Sequence, residues 1–64
     1  MINEKNKTEV HENIRRWVKV RRSKRITQKE ISKMTGLSRS HIANFEALRI
    51  NNMFLYNFYH NMFD

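Results

Sequence analysis

The chain has 64 residues, and its 13 Lys and Arg outnumber its six Asp and Glu to give a formal net charge of +7. A chain of this length forms one small domain, which buries only about 60% of the surface that its unfolded form exposes. The lack of cysteine excludes disulfides and thiolate metal sites and fits the reducing cytoplasm. No apolar run reaches the roughly 20 residues that span a bilayer, and no signal-peptide pattern opens the chain.

The distribution of breakers and charges narrows the class of protein further. Proline is absent and glycine occurs once, which favours an all-helical domain with short connections. Seven of the eleven residues from 15 to 25 are basic, whereas residues 51–64 contain no Lys or Arg. A small basic domain is typical first of nucleic-acid binding and second of binding to an anionic membrane surface.

Residues 1–7 are polar and predict a flexible N-terminal segment, so we expect the folded domain to cover residues 8–64. The first helix is predicted to begin at Thr8. Its apolar side chains recur at i, i+4, i+7 and i+8, which is the stripe of a helix that faces a core: Val10, Ile14, Trp17 and Val18. We interpret the basic residues of this helix as lying largely off the stripe, with Arg21 and Arg22 interacting with the negative end of the helix dipole.

Residues 27–46 predict two short helices around a tight turn. Thr27 and Glu30 have the spacing of a capping box, which begins a helix. Gly36 supplies the left-handed backbone that ends one, and Ser38 is a good N-cap for the next. In the second helix Ile42 and Phe45 point inward. The residues that remain on or near its outer face are Arg39, Ser40, His41, Ala43 and Asn44.

This stretch resembles the helix-turn-helix of the Cro/C1-type (xenobiotic-response-element-like) family of bacterial and phage repressors. The positions that carry the resemblance are Gln28, Ser32, Gly36, Leu37, Ser38, Ile42, Phe45 and Glu46, and the likeness extends over about residues 10 to 60. It implies an all-α, lambda-repressor-like domain of four to five short helices with a central helix-turn-helix. It also implies a small cytoplasmic, nucleoid-associated repressor that binds double-stranded DNA sequence-specifically and regulates transcription.

In this interpretation the helix from Arg39 to Glu46 enters the major groove, which is wide enough for a helix. The residues that we expect to read bases are Arg39, Ser40, Ala43 and Asn44. Those that we expect to bind phosphates are Gln28, Ser38 and His41, together with Arg15, Arg16, Lys24 and Arg25 of the basic segment. The alternative is a helical hairpin whose polar face is merely solvated.

The last helix is predicted from about Asn52 to Phe63. Where the family commonly has Gly and Pro before this helix, the chain has Leu48 and the pair Asn51–Asn52. Because Asn tolerates left-handed backbone, we expect the two asparagines to form the turn. The predicted inward stripe is Phe54, Phe58 and Met62, with Leu55 beside it. So apolar a helix is usually buried on two sides, which favours a homodimer or another protein partner that contacts Phe54, Tyr56, Tyr59 and Phe63.

Two other functions stay open. A protein-interaction module would bind a host regulator or polymerase through the aromatic last helix. Membrane-surface binding by the first helix is less favoured, because its apolar stripe is needed for the core. We find no catalytic constellation of carboxylate, Ser or His side chains, and His11, His41 and His60 lack metal-ligand spacing. We therefore expect no enzyme activity, no cofactor and no metal.

Overall fold

The computed structural model describes the backbone of residues 4–64 and the side chains of residues 7–64. This part of the chain forms four helices and contains no strand: α1 (Glu4–Ser23), α2 (Gln28–Thr35), α3 (Arg39–Glu46) and α4 (Met53–Phe63). The predicted all-α class is confirmed, with four helices. None of these helices is long and apolar enough to cross a membrane.

The first helix begins earlier than predicted. Helix α1 starts at Glu4 rather than Thr8 and runs for 20 residues, or about 30 Å at 1.5 Å per residue. Residues 1–3 of the segment that we expected to be flexible lie outside the described residues.

The predicted boundaries of α2 and α3 are confirmed by their capping contacts. The backbone N–H of Glu30 donates to Thr27 Oγ1 at 3.1 Å, and the N–H of Thr27 donates to the Glu30 carboxylate at 3.2 Å. Gly36 ends α2 with φ 75°, and Ser38 Oγ accepts from the N–H of His41 at 3.1 Å. Between the helices, Ser32 Oγ donates to the carbonyl of Leu37 at 2.5 Å and so fastens the turn to α2.

Helices α1 and α3 are each followed, two residues after their last residue, by a left-handed residue that is not glycine. Arg25 has φ 59° and Leu48 has φ 65°. After α3, the N–H of Leu48 donates to Phe45 O at 3.1 Å and the N–H of Arg49 donates to Asn44 O at 2.9 Å, which is the Schellman pattern. The turn that we placed at Asn51–Asn52 therefore occurs at Leu48 instead.

Asn52 has a capping role rather than the left-handed one that we predicted. Its φ is −151°, and its side-chain oxygen accepts from the N–H of Leu55 at 3.0 Å to begin α4. The chain thus turns at the end of α3, and Asn52 is in extended backbone directly before α4.

The core draws residues from all four helices. Among the described residues, the buried apolar side chains are Ile14, Trp17, Ile31, Ile42, Phe45, Leu55, Tyr59 and Phe63. Trp17 is fully buried, as predicted. Helix α4 is rotated from the predicted orientation by one residue, so Leu55, Tyr59 and Phe63 point inward in place of Phe54, Phe58 and Met62. The predicted partner contacts at Tyr59 and Phe63 are therefore wrong, because both side chains pack in the protein's own core.

Candidate functional site

The outer face of α3 presents the four residues that were predicted to read bases. Arg39 and Ser40 are exposed, while Ala43 and Asn44 are half-buried at the sides of the same face. Ile42 and Phe45, on the opposite side of the helix, are buried and hold α3 against the core. The small side chains of Ser40 and Ala43 leave the helix backbone accessible to a partner surface.

No acidic side chain is exposed on α3, which the structure describes in full. Glu46 is its one acidic residue, and the side chain of Glu46 is only 5% exposed. Asn44, Ser40 and Ala43 are neutral, and Arg39 is cationic. The outer face of α3 therefore offers hydrogen-bond donors and a positive charge but no repulsion to an anion.

Glu46 accepts hydrogen bonds from one residue of each of the other three helices. Arg21 Nε and Nη2 of α1 bind its two carboxylate oxygens, each at 2.8 Å. Gln28 Nε2 of α2 donates at 2.9 Å, and the Tyr59 hydroxyl of α4 donates at 2.5 Å. We call these four residues the Glu46 cluster. It fixes α3 relative to the rest of the domain with charge-assisted bonds, which are stronger than neutral ones.

The cluster holds defined protonation states. Burial alone raises the pKa of Glu46, but hydrogen bonds from Arg21, Tyr59 and Gln28 outweigh it and leave that pKa below its usual value. Burial and the adjacent Glu46 carboxylate raise the pKa of Tyr59. At neutral pH Glu46 is therefore ionised and Tyr59 carries its proton.

Sequence reasoning missed the role of Arg21. Its side chain is buried against Glu46 rather than directed at solvent near the end of the helix dipole. Arg21 follows Ile14 by seven residues and Trp17 by four, so it lies on the apolar stripe of α1. That spacing identifies it as an inward residue, although the sequence does not show which partner it meets.

Gln28 was predicted to bind phosphate, but its amide nitrogen donates to Glu46. The side chain is half-buried between α2 and α3. This contact makes Gln28 a connection between the two helices. The amide nitrogen carries a second N–H, so the phosphate role of Gln28 stays a prediction.

A shallow cleft of about 510 Å³ lies beside Arg39, and its lining residues are Arg21, Arg22, Thr27, Gln28, Lys29 and Arg39. We call it the cationic cleft. It includes the first residues of both α2 and α3, whose N-terminal N–H groups add positive potential. Arg22 and Lys29 were not predicted as site residues. The cleft brings them together with Arg39, so it is suited to an anionic group such as phosphate.

Arg15 and Arg16 are neighbours in the sequence but differ in direction. Arg16 Nη2 contacts the Asp64 carboxylate at 2.6 Å, beyond the end of α4, and Arg16 Nη1 donates to Asn13 at 3.1 Å. Arg15 is exposed and precedes Arg22 by seven residues, so it shares the face of α1 that borders the cationic cleft. The pairing of Arg16 with Asp64 disfavours a phosphate contact by Arg16, whereas the phosphate role of Arg15 stays a prediction.

The remaining predicted phosphate ligands differ in how exposed they are. Ser38, Lys24 and Arg25 are exposed. His41 is half-buried, and its Nε2 lies 2.8 Å from Asn52 Nδ2. Because the oxygen of the Asn52 amide accepts from Leu55, its nitrogen must donate to His41. His41 Nε2 therefore accepts a hydrogen bond, which leaves Nδ1 as the donor nitrogen of the ring, and the phosphate role of His41 stays a prediction.

Helix α4 presents part of its apolar surface to solvent. Met53 is 62% exposed and Phe54 is 56% exposed, and Phe54 stacks on Phe58 with ring centroids 6.3 Å apart. Tyr56 is half-buried: its hydroxyl accepts from Asn13 at 2.9 Å and its ring packs edge-on against Trp17. Among the four predicted partner contacts, Phe54 is the one with a largely exposed side chain.

Comparisons of the chain with family models, with curated proteins and with solved structures find no match.

Proposed function

We propose that this protein is a sequence-specific DNA-binding transcriptional regulator, a small repressor of bacterial or phage type with a lambda-repressor-like helix-turn-helix formed by α2 and α3. In this proposal α3 lies in the major groove. Its eight residues span about 12 Å, and a groove about 12 Å wide accepts a helix side-on.

The observation that carries the proposal is the outer face of α3 beside the cationic cleft. Arg39 lies in the first turn of α3 and also lines that cleft. A helix in the major groove contacts base edges with its N-terminal residues while adjacent cations contact phosphates. Arg39, Ser40 and Asn44 supply the donors, and Lys29 and Arg22 supply charge to the backbone alongside.

Electrostatics favour a polyanion over a neutral partner. The formal charge of the chain is +7, and of its acidic residues Glu46 is buried in an ion pair with Arg21. Each phosphate neutralised by Lys or Arg releases counterions, with a slope of about −0.9 in log K against log salt concentration. Binding should therefore weaken steeply as salt rises.

Selection of bound sites from a random duplex library tests the proposal. A DNA-binding regulator enriches one sequence and loses affinity for it with added salt. Arg39→Ala lowers the enrichment, while Lys33→Ala, an exposed charge on α2 outside the cationic cleft, serves as the matched control. Absence of any enriched sequence with the wild-type protein overturns the proposal.

The exposed apolar surface of α4 favours a homodimer as the binding form. Met53 and Phe54 lie in a stretch without Lys or Arg, so two copies can approach there despite their net positive charge. Two recognition helices related by a dyad read half-sites about 34 Å apart. An inverted repeat in the enriched sequence, together with a dimeric mass that Phe54→Ser reduces to that of a monomer, supports this form.

The same surface supports the second candidate function, a module that binds another protein through α4. In that case Phe54→Ser abolishes binding to a host regulator or polymerase, and no duplex is enriched. Under the DNA-binding proposal, Arg39→Ala impairs DNA binding and leaves any protein partner of α4 bound, because Arg39 lies outside α4. The two variants therefore separate the candidates.

A further inference from the structure

Arg49 follows the end of α3 by three residues, and its side chain lies beside the outer face of that helix. It is the last Lys or Arg of the chain and follows Leu48, whose left-handed backbone reverses the chain. Its N–H donates to Asn44 O at 2.9 Å, and its Nη1 lies 3.5 Å from Asn44 Oδ1. The guanidinium therefore lies beside the side chain of Asn44.

This contact decides which half of the Asn44 amide faces outward. Arginine has five N–H donors and no acceptor, so it is the oxygen of the amide that meets Arg49. At 3.5 Å, the positive charge of the guanidinium also attracts the negative, oxygen end of the amide dipole. The Asn44 nitrogen, a donor, is then the group that remains for a partner.

We propose that Arg49 is a positioning residue that determines base specificity through Asn44, an inference that rests on the proposed DNA-binding function. An asparagine with both amide groups available pairs with adenine, donating to N7 and accepting from N6. The guanidinium of Arg49 competes for the Asn44 oxygen, whereas the Asn44 nitrogen keeps both of its N–H donors for a base. The major-groove edge of guanine, with acceptors at N7 and O6, then fits better than that of adenine.

The test compares site selection by the wild-type protein and by Arg49→Met, which keeps an unbranched side chain but has no donor. The base pair that Asn44 reads is located as the one whose preference is lost in Asn44→Ala. The wild type prefers guanine there. Arg49→Met shifts the ratio of adenine to guanine by about tenfold toward adenine, because the released oxygen completes the bidentate pair.

Two further variants separate positioning from other roles. Arg49→Lys retains a cationic donor and retains the guanine preference. In the Asn44→Ala background, Arg49→Met produces no further shift in base preference. Thermal unfolding of each variant matches that of the wild type, because the Arg49 side chain is exposed.

Each remaining result contradicts the inference. Equal weakening on every sequence by Arg49→Met makes Arg49 a phosphate contact, and a shift that persists in the Asn44→Ala background makes Arg49 a direct reader of bases. An adenine preference in the wild type means that the Asn44 oxygen is not held. If the wild type enriches no sequence, the DNA-binding proposal fails first, and the inference fails with it.

Discussion

Arg39 is the residue in which the exposed face of α3 and the cationic cleft meet. It is the first residue of α3, directly after the Ser38 cap, and its side chain is exposed. Arginine is suited to this position because its planar guanidinium pairs bidentately with guanine O6 and N7.

Arg39→Ala should therefore reduce affinity for the selected duplex by about 1–3 kcal/mol and relax the preference at one base pair. The measurement is a binding titration on the selected duplex and on its single-base variants. Equal loss on all sequences contradicts a base-reading role and assigns Arg39 to the phosphate backbone.

Arg25 affects stability through its backbone, because a residue with a Cβ atom is sterically strained in the left-handed conformation. A non-glycine residue in this conformation costs about 1–2 kcal/mol, while glycine loses about 0.5–1 kcal/mol through the flexibility of the unfolded chain. Arg25→Gly should therefore raise the free energy of unfolding by up to about 1 kcal/mol.

Urea unfolding measures this change. Lys24→Gly, one residue earlier and without a positive φ, is the matched control and should be destabilising. A loss of stability in Arg25→Gly contradicts the account of this turn.

At the scale of the helices, the Glu46 cluster determines how α3 is held. Glu46→Gln leaves the buried Arg21 without its counter-charge, and breaking a buried pair in this way costs about 3–5 kcal/mol. Tyr59→Phe removes one bond to a charged acceptor and should cost about 1.5–3 kcal/mol. The order of these two losses follows from which variant leaves an uncompensated charge.

The lowered pKa of Glu46 predicts how stability depends on pH. The folded pKa lies below the usual value of 4.5, so the contribution of Glu46 is fully present above about pH 4.5 and is lost as pH falls through the folded pKa. Urea unfolding between pH 3 and about 6 should show this decline in the wild type and a smaller one in Tyr59→Phe.

Asp64 is a second carboxyl group whose pKa is lowered, in its case by hydrogen bonds from Arg16 and Trp17. Asp64→Asn is therefore the control that isolates Glu46. Equal acid dependence in the wild type and in Tyr59→Phe contradicts the role given to the cluster.

The elements also show what could be predicted from the sequence. The Thr27 and Ser38 caps and the Gly36 stop act within four residues, so local sequence was sufficient to place α2 and α3. The pairing of Arg21 with Glu46 joins residues 25 positions apart and depends on tertiary packing. The inward face of α4 was predicted wrongly because apolar residues surround that helix, and periodicity then does not select one side.

For the whole molecule, the distribution of charge distinguishes the side of the domain that carries the cationic cleft from the side that carries the end of α4. The cationic cleft and the face of Arg15 and Arg22 form one side, whereas Arg16 pairs with Asp64 beside α4. The sequence showed that residues 15–25 are basic. It did not show that Arg16 pairs with Asp64, because that contact depends on where α4 ends.

Arg15→Ala should therefore reduce the magnitude of the salt slope of DNA binding by about 1, the value for one phosphate contact. Arg16→Ala is the matched control, with the same loss of charge and an unchanged slope. The measurement is binding affinity over a range of salt concentrations. An equal change of slope in both variants shows that the effect comes from net charge and not from contact.

The most direct test of the central claim is NMR mapping of the contact surface with the selected duplex. We predict that the largest chemical-shift changes occur at backbone amides 38–44 and at the side chains of Arg39 and Asn44, and that added salt reverses them. Changes confined to the surface of α4 around Phe54, with α3 unaffected, would contradict the claim that the outer face of α3 binds DNA.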